Sequence, residues 1–265
     1  MRDFAECWPN PSIWQQPAAK LPWGHITALL DAAMNAVERD WYVQQTVEHG
    51  WSGAIMVHQI DGRLYHRQGA AATNFAATLP PPQSELAQQI MKDPYNFEFL
   101  DIAPEARERD LERGLIEQIR RTILELGKGF AFIGSQYHLE VGGEDFYIDL
   151  LFYYLRLRCF VVLELKAGDF KPEYAGKMNF YLWAVDDLLR HPSDALSIGR
   201  ILCRGRNATV VEYSLRDTAK PMGVAGYQLR TSPPAALAAE LPTVEELMRE
   251  LPGKPEVDKS ALCLR

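Results

Sequence analysis

Phe146-Tyr147-Ile148-Asp149-Leu150-Leu151-Phe152 and Phe160-Val161-Val162-Leu163-Glu164-Leu165-Lys166 are the two stretches whose reading decides the fold. Both are short, rich in aromatic and β-branched residues, and bounded by polar or turn residues, which is the pattern of strands. Each carries charge inside an apolar run. Charged side chains are seldom fully buried unless they are paired or bind a metal, so Asp149, Glu164 and Lys166 need a chemical reason. In a strand, residues i and i+2 share a face. Glu164 and Lys166 therefore point one way and Leu165 the other, and Asp149 on a neighbouring strand can meet them.

Two hard carboxylates can hold Mg²⁺ and leave coordination positions for water and phosphate. Such a cation acidifies water and offsets charge as a phosphodiester is attacked. A lysine beside it can orient a nucleophile or stabilise the transition state. The alternative is an ion pair at an exposed sheet edge, which contributes little. Glu-x-Lys alone is too common to decide, whereas the apolar flanks raise the metal-site reading, since an exposed pair does not need them.

Working outward, a helix is expected over 105–126, with Leu111, Leu115, Ile119, Ile123 and Leu126 on one face and Glu112 near Leu115 and Ile116. Strands are expected over 130–140, 145–154 and 158–166, the first two joined by a hairpin at Gly142-Gly143-Glu144-Asp145. A helix over 172–189 follows, with Pro172 in its first turn, then strands near 198–203 and 208–214. This order describes an α/β layer with a mixed sheet.

The N-terminal third reads as helices. A stripe runs from Ile26 to Val37, a second helix covers 38–48, and Gly50 and Ser52 stop one helix and cap the next, over 53–64. The third helix has little basic character, with Arg63 alone near its end, so a helical bundle is preferred to a DNA-reading helix-turn-helix. Leu79-Pro80-Pro81-Pro82 marks a connector, with a helix over 84–91 capped by Ser84 and broken at Asp93-Pro94. A capping-box pattern after Leu241 starts a last short helix. The expected division is 1–100 helical, 101–230 α/β and 231–265 a tail.

The 265 residues are 47% hydrophobic and 24% charged, with a net charge of −7, ordinary values for a soluble protein. No apolar run is long enough to span a bilayer, and the N-terminus lacks a signal-peptide pattern. Cys7, Cys159, Cys203 and Cys263 form no Cys-x-x-Cys pair. These features point to a reducing, cytoplasmic location. Residues 101–230 carry 18 basic and 19 acidic residues, so a local basic groove remains open there. Lys171, Lys177, Arg204 and Arg206 either line such a groove or lie on a solvated surface. His138 reads as a half-exposed strand histidine. Tyr153, Tyr154, Phe180, Tyr181 and Trp183 read mostly as packing residues.

The order helix, β-meander, Asp, Glu-x-Lys, helix resembles the PD-(D/E)XK nuclease superfamily. The likeness is closer to the bacterial YhcG-type nucleases. It is carried by Gly129-Phe130-Ala131-Phe132-Ile133-Gly134, the run Phe146 to Tyr153, Glu164-Leu165-Lys166-Ala167-Gly168 and Lys171-Pro172-Glu173-Tyr174-Ala175-Gly176. It continues through Ile198-Gly199, Leu202-Cys203, Val211-Glu212-Tyr213-Ser214-Leu215-Arg216 and Leu241-Pro242-Thr243. In the N-terminal part it rests on Leu21-Pro22-Trp23-Gly24-His25, His58-Gln59-Ile60 and Asp93-Pro94-Tyr95-Asn96-Phe97.

The resemblance implies a restriction-endonuclease-like mixed-sheet core with helices on both faces, behind an N-terminal helical domain. It implies a nuclease that hydrolyses phosphodiester bonds, with DNA as the leading substrate and Mg²⁺, or Mn²⁺ in its place, as cofactor. By position Asp149 and Glu164 are then metal ligands, Lys166 is the catalytic lysine, and Glu112 is either an assisting acid or a solvent-facing helix acid. Two departures stand out. Lys177 replaces a usual Gln and can contact phosphate, compete with Lys166 or face solvent; Ser135, before Gln136, replaces a usual Arg. Gln136 and Lys177 are further assisting candidates. The chain also starts later than that family leads one to expect, and truncation is one reading of this. Two alternatives to the active nuclease are kept. One is a nucleic-acid-binding protein whose nuclease fold is inactive or conditionally active. The other is a module whose helical domain recruits a protein partner or a second copy.

Overall fold

The helices of the N-terminal third are α1 (Trp23–Asp31), α2 (Ala36–His49), α3 (Gly53–Asp61) and α4 (Leu64–Arg67). This computed structural model describes residues 17–32, 34–100, 102 and 106–229; the helix expected after Leu241, Cys7 and Cys263 lie outside them. The stripe from Ile26 to Val37 is split, because Asn35 starts a new helix by accepting the Glu38 amide at 2.9 Å. Ser52 caps α3 by accepting from the Ile55 amide at 3.3 Å, and Gly50 closes α2 at φ 64°. The third helix stops at Asp61 rather than reaching Leu64. Ile26, Leu29, Tyr42, Val43, Met56 and Leu64 form a small core of their own.

Seven strands form the sheet: β1 (Ala72–Thr73), β2 (Tyr95–Asn96), β3 (Phe130–Val141), β4 (Glu144–Tyr154), β5 (Cys159–Asp169), β6 (Ile198–Gly205) and β7 (Met222–Gln228). Their order is β1-β7-β6-β5-β4-β3, with β2 also on β7. The β3–β4–β5 meander is antiparallel and β5–β6–β7 is parallel, a mixed sheet as expected. Gly142 and Gly143, at φ 64° and 83°, make the β3–β4 turn. The remaining helices are α5 (Phe75–Thr78), α6 (Gln83–Gln89), α7 (Glu108–Glu117), α8 (Ile119–Leu126), α9 (Pro172–Leu188) and α10 (Ala208–Leu215). No helix among the described residues is long and apolar enough to cross a membrane.

Several sequence expectations are corrected. The helix over 105–126 is two helices, broken at Gln118. The break frees the Leu115 carbonyl, which the Thr122 hydroxyl satisfies at 2.8 Å. The strand expected at 208–214 is α10: the Asn207 side chain accepts from the Thr209 and Val210 amides, and Val211 and Leu215, one turn apart, are its buried residues. The helix near Ser84 begins at Gln83 and has no side-chain cap. Strand β7 was not expected from its sequence. Residues 68–100 are more than a connector: Phe75, Leu79, Ala87, Met91, Tyr95 and Phe97 are buried with the sheet.

Alternation along β5 sorts the layers. Val161, Leu163 and Leu165 join Leu111, Leu115 and Leu126 in one core. Val162 joins Met178, Leu182 and Val185 of α9 in the other. Glu164 and Lys166, in phase with Val162, therefore lie on the α9 face. Helix α9 comes close because β6 has a glycine beneath it. A Cβ on Gly199 would stand 2.6 Å from both Cγ and Sδ of Met178, which is itself fully buried. Gly199→Ala should cost about 1–3 kcal/mol by overpacking this layer. Urea unfolding of wild type and variant measures it, and an unchanged midpoint would contradict this account of the packing.

Candidate active site

Leu150 pairs with Leu163 across β4 and β5, and the next step along the ladder sets Asp149 beside Glu164. Each side chain reaches a backbone amide of the other's strand. The Leu165 amide donates to Asp149 Oδ2 at 2.8 Å, and the Asp149 amide lies 3.5 Å from Glu164 Oε1. Glu164 is 2% exposed and Lys166 7%, so this is no surface ion pair. The strand pattern brings together Asp149, Glu164 and Lys166 as the sequence leads one to expect.

Glu164 Oε2 is held by two ammonium groups. Lys166 Nζ lies at 3.3 Å and Lys177 Nζ at 3.0 Å. Lys166 also donates to the Leu165 carbonyl at 2.9 Å and stands 3.6 Å from Glu108 Oε2. Lys177 projects from the early turns of α9, with its ammonium 4.9 Å from the centre of the Tyr181 ring. The Tyr181 hydroxyl in turn donates to the Tyr147 carbonyl at 2.8 Å, anchoring α9 to β4. Lys177 thus faces Glu164 and is not given over to solvent, although its side chain is 45% exposed.

A second acidic position stands nearby on α7. Glu112 is buried, and Gln136 Nε2 donates to its Oε2 at 2.8 Å. Gln136 lies in β3 between the pairs Ser135–Leu150 and Tyr137–Ile148, at φ 43°. A non-glycine residue in this left-handed region is strained, and such strain concentrates at functional sites. Glu108, one helical turn before Glu112, accepts the Ala167 amide at 3.2 Å and so ties α7 to the end of β5. Sequence reasoning missed Glu108; its signal was the i, i+4 spacing with Glu112, which puts both acids on one helix face.

Charge and burial compete in this group. Burial, and then the negative charge of Glu164, push the Asp149 carboxyl up to about 6. Burial also raises the Glu112 carboxyl, with the Gln136 hydrogen bond acting against it. Burial disfavours the Lys177 ammonium, but Glu164 and Tyr181 outweigh it and hold this lysine above its usual range. The oxygen donors available to a cation are the Asp149 and Glu164 carboxylates and the Leu165 carbonyl. Among the described residues there is no group of three or more His, Cys, Asp or Glu that could hold a metal by themselves. This donor set suits a small hard cation that keeps water and phosphate ligands and needs only one or two carboxylates.

The other basic candidates are spent elsewhere. Lys171 faces Glu173 at 3.9 Å, both exposed. Arg204 donates to the Ala106 carbonyl at 2.9 Å, and Arg206 pairs with Asp93. His138 bonds Asp145 at 2.6 Å on the exposed surface. None of these four contacts the carboxylate pair.

Comparison with known proteins gives three findings. Residues 88–242 match the family model described as the YhcG PDDEXK nuclease domain, and residues 1–67 match the DUF1016 N-terminal domain. The chain is 33% identical over 248 residues to the Escherichia coli (strain K12) protein named "Putative nuclease YhcG", covering 91% of this chain and 66% of that relative. It thus spans slightly less than two thirds of the relative's length. Among solved structures, a repair endonuclease from Pyrococcus abyssi aligns over 49% of each chain at 16% identity and a TM-score of 0.31. The EndoMS–dsDNA2 complex aligns over 52% of this chain and 49% of that one, at 14% identity and a TM-score of 0.33.

A raised Asp149 pKa carries a stability consequence whose sign is fixed. The folded chain binds this proton more tightly than the unfolded one, so its contribution is fully present below the unfolded value near 3.8 and is lost as pH rises through about 6. Without divalent metal, Asp149→Asn should therefore stabilise the protein at pH 7, by up to about 3 kcal/mol. The difference from wild type should shrink as pH falls below 6. Thermal unfolding in EDTA across this range checks it; a variant less stable than wild type at pH 7 contradicts the electrostatics described.

Proposed function

The chain belongs to the YhcG PDDEXK nuclease family, and on that premise we propose that it is a metal-dependent nuclease that hydrolyses phosphodiester bonds in nucleic acid, with DNA as substrate. The observation that carries this reading is the meeting of the partly buried Asp149 with the buried Glu164 of the adjacent strand, with Lys166 buried on the same face as Glu164. In the proposal Asp149 and Glu164 hold Mg²⁺ or Mn²⁺, with the Leu165 carbonyl as a third oxygen. The bound cation supplies an acidified water and neutralisation of phosphate charge.

This chain's own residues do the remaining work. Lys166, released from Glu164, offers its ammonium to the attacking water or to the developing charge on the phosphate. Glu108 holds that ammonium within the cleft between turnovers. Gln136 fixes Glu112, the proposed assisting acid, through its hydrogen bond. Lys177, on the opposite wall, meets a phosphate once Glu164 turns to its cation. Buried free thiols at Cys159 and Cys203 agree with a reducing cytoplasm, which is part of the proposal. So is the division into a helical and an α/β part. The separate small core around Leu29, Tyr42 and Met56 supports it, and we draw the dividing line near residue 68 because Phe75, Met91 and Tyr95 are buried with the sheet.

A second reading, a nuclease active only under certain conditions, is favoured by the Lys177–Glu164 contact, since a cation must displace that ammonium. A helical part that recruits a protein partner or a second copy is compatible with both readings.

The proposal is tested by a cleavage panel on single- and double-stranded DNA and RNA with Mg²⁺, Mn²⁺ or EDTA. Cleavage should require the divalent cation, and Asp149→Ala should remove it while circular dichroism stays unchanged. Full activity in EDTA sinks the mechanism. The role of Lys177 is read separately. Lys177→Gln should bind Mn²⁺ several-fold more tightly, since a like charge leaves the site. It should bind nucleic acid more weakly, with a shallower salt dependence, because one phosphate contact is lost. Calorimetric titration of metal and of an uncleaved oligonucleotide measures both, and no change in either contradicts the cleft-facing role.

A further inference from the structure

Helix α7 carries the same pair of residues twice, Glu108-Arg109 and Glu112-Arg113, one turn apart. At about 3.6 residues per turn the two acids share one face and the two arginines another, each arginine about 100° around the helix from its acid. Leu111 and Leu115 face the core. The acids turn to the sheet. Glu108 accepts the Ala167 amide at 3.2 Å and stands 3.6 Å from Lys166 Nζ, and Glu112 accepts from Gln136 Nε2 at 2.8 Å. Arg109 and Arg113 come next around the helix and are exposed, which sets them on the rim of the carboxylate site.

These two guanidinium groups are left without a counter-charge. Neither Arg109 nor Arg113, nor Arg120 and Arg121 of α8, makes an ion pair or a side-chain hydrogen bond among the described residues. From residue 128 to 229, by contrast, every exposed lysine and arginine is bonded to another protein group. Acids are in excess in a chain of net charge −7, so cations left unpaired on one helix pair are available to a partner. The other acids of α7 do not engage them: Asp110 accepts the Arg107 amide at 3.2 Å, and Glu117 closes the helix. Arg109 is within electrostatic reach of the site. Burial raises the Glu112 carboxyl, the Gln136 hydrogen bond and then the Arg109 charge act against it, and the Glu164 charge adds to the rise. Arg109 and Arg113 are about 6 Å apart along the helix axis, a separation that suits successive phosphates of one strand. Each planar fork matches a pair of phosphate oxygens. A carboxylate would meet the same forks, but a cation held by Asp149 and Glu164 draws phosphate oxygens to this place.

We propose that Arg109 and Arg113 clamp the DNA backbone on the α7 rim, holding two phosphates beside the one that reaches the carboxylate pair. The clamp rests on the nuclease reading, because that reading brings a phosphodiester to Asp149 and Glu164. The two arginines have a positioning role: they fix the strand over the site and take no part in bond breaking. Lys177 meets the strand from the α9 wall, so the backbone crosses the site between the two helices. The clamp reads no bases, since contacts to phosphate carry no sequence information directly.

The test uses the full chain in EDTA, with a fluorescently labelled DNA duplex of mixed sequence followed by anisotropy over a series of salt concentrations. Arg109→Ala and Arg113→Ala should each weaken binding at low salt by about fivefold, as for an exposed charge-assisted contact. Each should also lower the slope of log affinity on log salt by about 0.9, and the double variant by about twice that, since every lost phosphate contact leaves counterions in place. Arg109→Lys should restore the slope but not the whole affinity, because the charge returns without the fork. Arg216→Ala, an exposed arginine of α10, should change neither quantity. Both rim side chains are exposed and unpaired, so their truncation leaves the fold intact. Unchanged affinity and slope in the double variant overturn the clamp. So do an equal loss in Arg216→Ala, polyglutamate bound as tightly as the duplex, or a duplex that does not bind at all. Cleavage reads the nuclease activity separately. Weakened binding by the variants with no cleavage under any metal keeps the clamp and removes the hydrolysis. Cleavage of sub-saturating DNA by the double variant as efficient as by wild type removes the clamp and keeps the nuclease.

Discussion

Glu164 Oε2 accepts two lysine ammoniums, one from its own strand and one from the helix laid across it, and the site depends on this contact. A carboxylate buried to this degree is tolerated only with charge beside it. Lys166 and Lys177 supply that charge. Asp149 receives less help: a backbone amide and the more distant lysines act against burial and the Glu164 charge, and its proton is held up to about 6. The cluster is thus left short of positive charge at Asp149 while Glu164 is fully paired. In the proposed reading, this asymmetry is what a divalent cation gains from in binding, and phosphate is where the lysines then turn.

The rest of the fold holds this cluster in register. The β3–β4–β5 meander sets Asp149 beside Glu164, and α9 can reach Glu164 with Lys177 only because Gly199 lets it approach the sheet. The Tyr181 hydroxyl on the Tyr147 carbonyl fixes the height of that helix over β4. On the other side, α7 brings Glu108 to the end of β5 and Glu112 to the middle of β3. Each support is a packed or hydrogen-bonded contact to a strand, so the group is held by rigid elements and not by loops.

The meander and α9 were legible in the sequence because their apolar runs are short, strongly β-branched or aromatic, and punctuated by Gly142-Gly143 and Pro172. Asp149, Glu164 and Lys166 stood out for the same reason: charge is conspicuous inside such runs. Other elements were harder to read. The run Val210-Val211 suggested a strand, and only the cap at Asn207 tips it to helix. Strand β7 contains Gly223 and Gly226 and is largely buried, so it shows no alternation to read. The burial of Phe75, Met91 and Tyr95 is a long-range packing event on a Pro-rich segment, invisible to local pattern. The direction of Lys177 could not be chosen either, since a helix residue beside a strand carboxylate is set by tertiary register alone.

The central claim is that the Asp149–Glu164 pair is a divalent-cation site held shut by the two lysines. Anomalous diffraction from crystals soaked in Mn²⁺ tests it most directly, because it locates the cation without relying on turnover. The account predicts one anomalous peak between the Asp149 and Glu164 carboxylates, with Lys177 moved off Glu164 Oε2. A soaked crystal with no peak there, and both lysines still on Glu164, would contradict it.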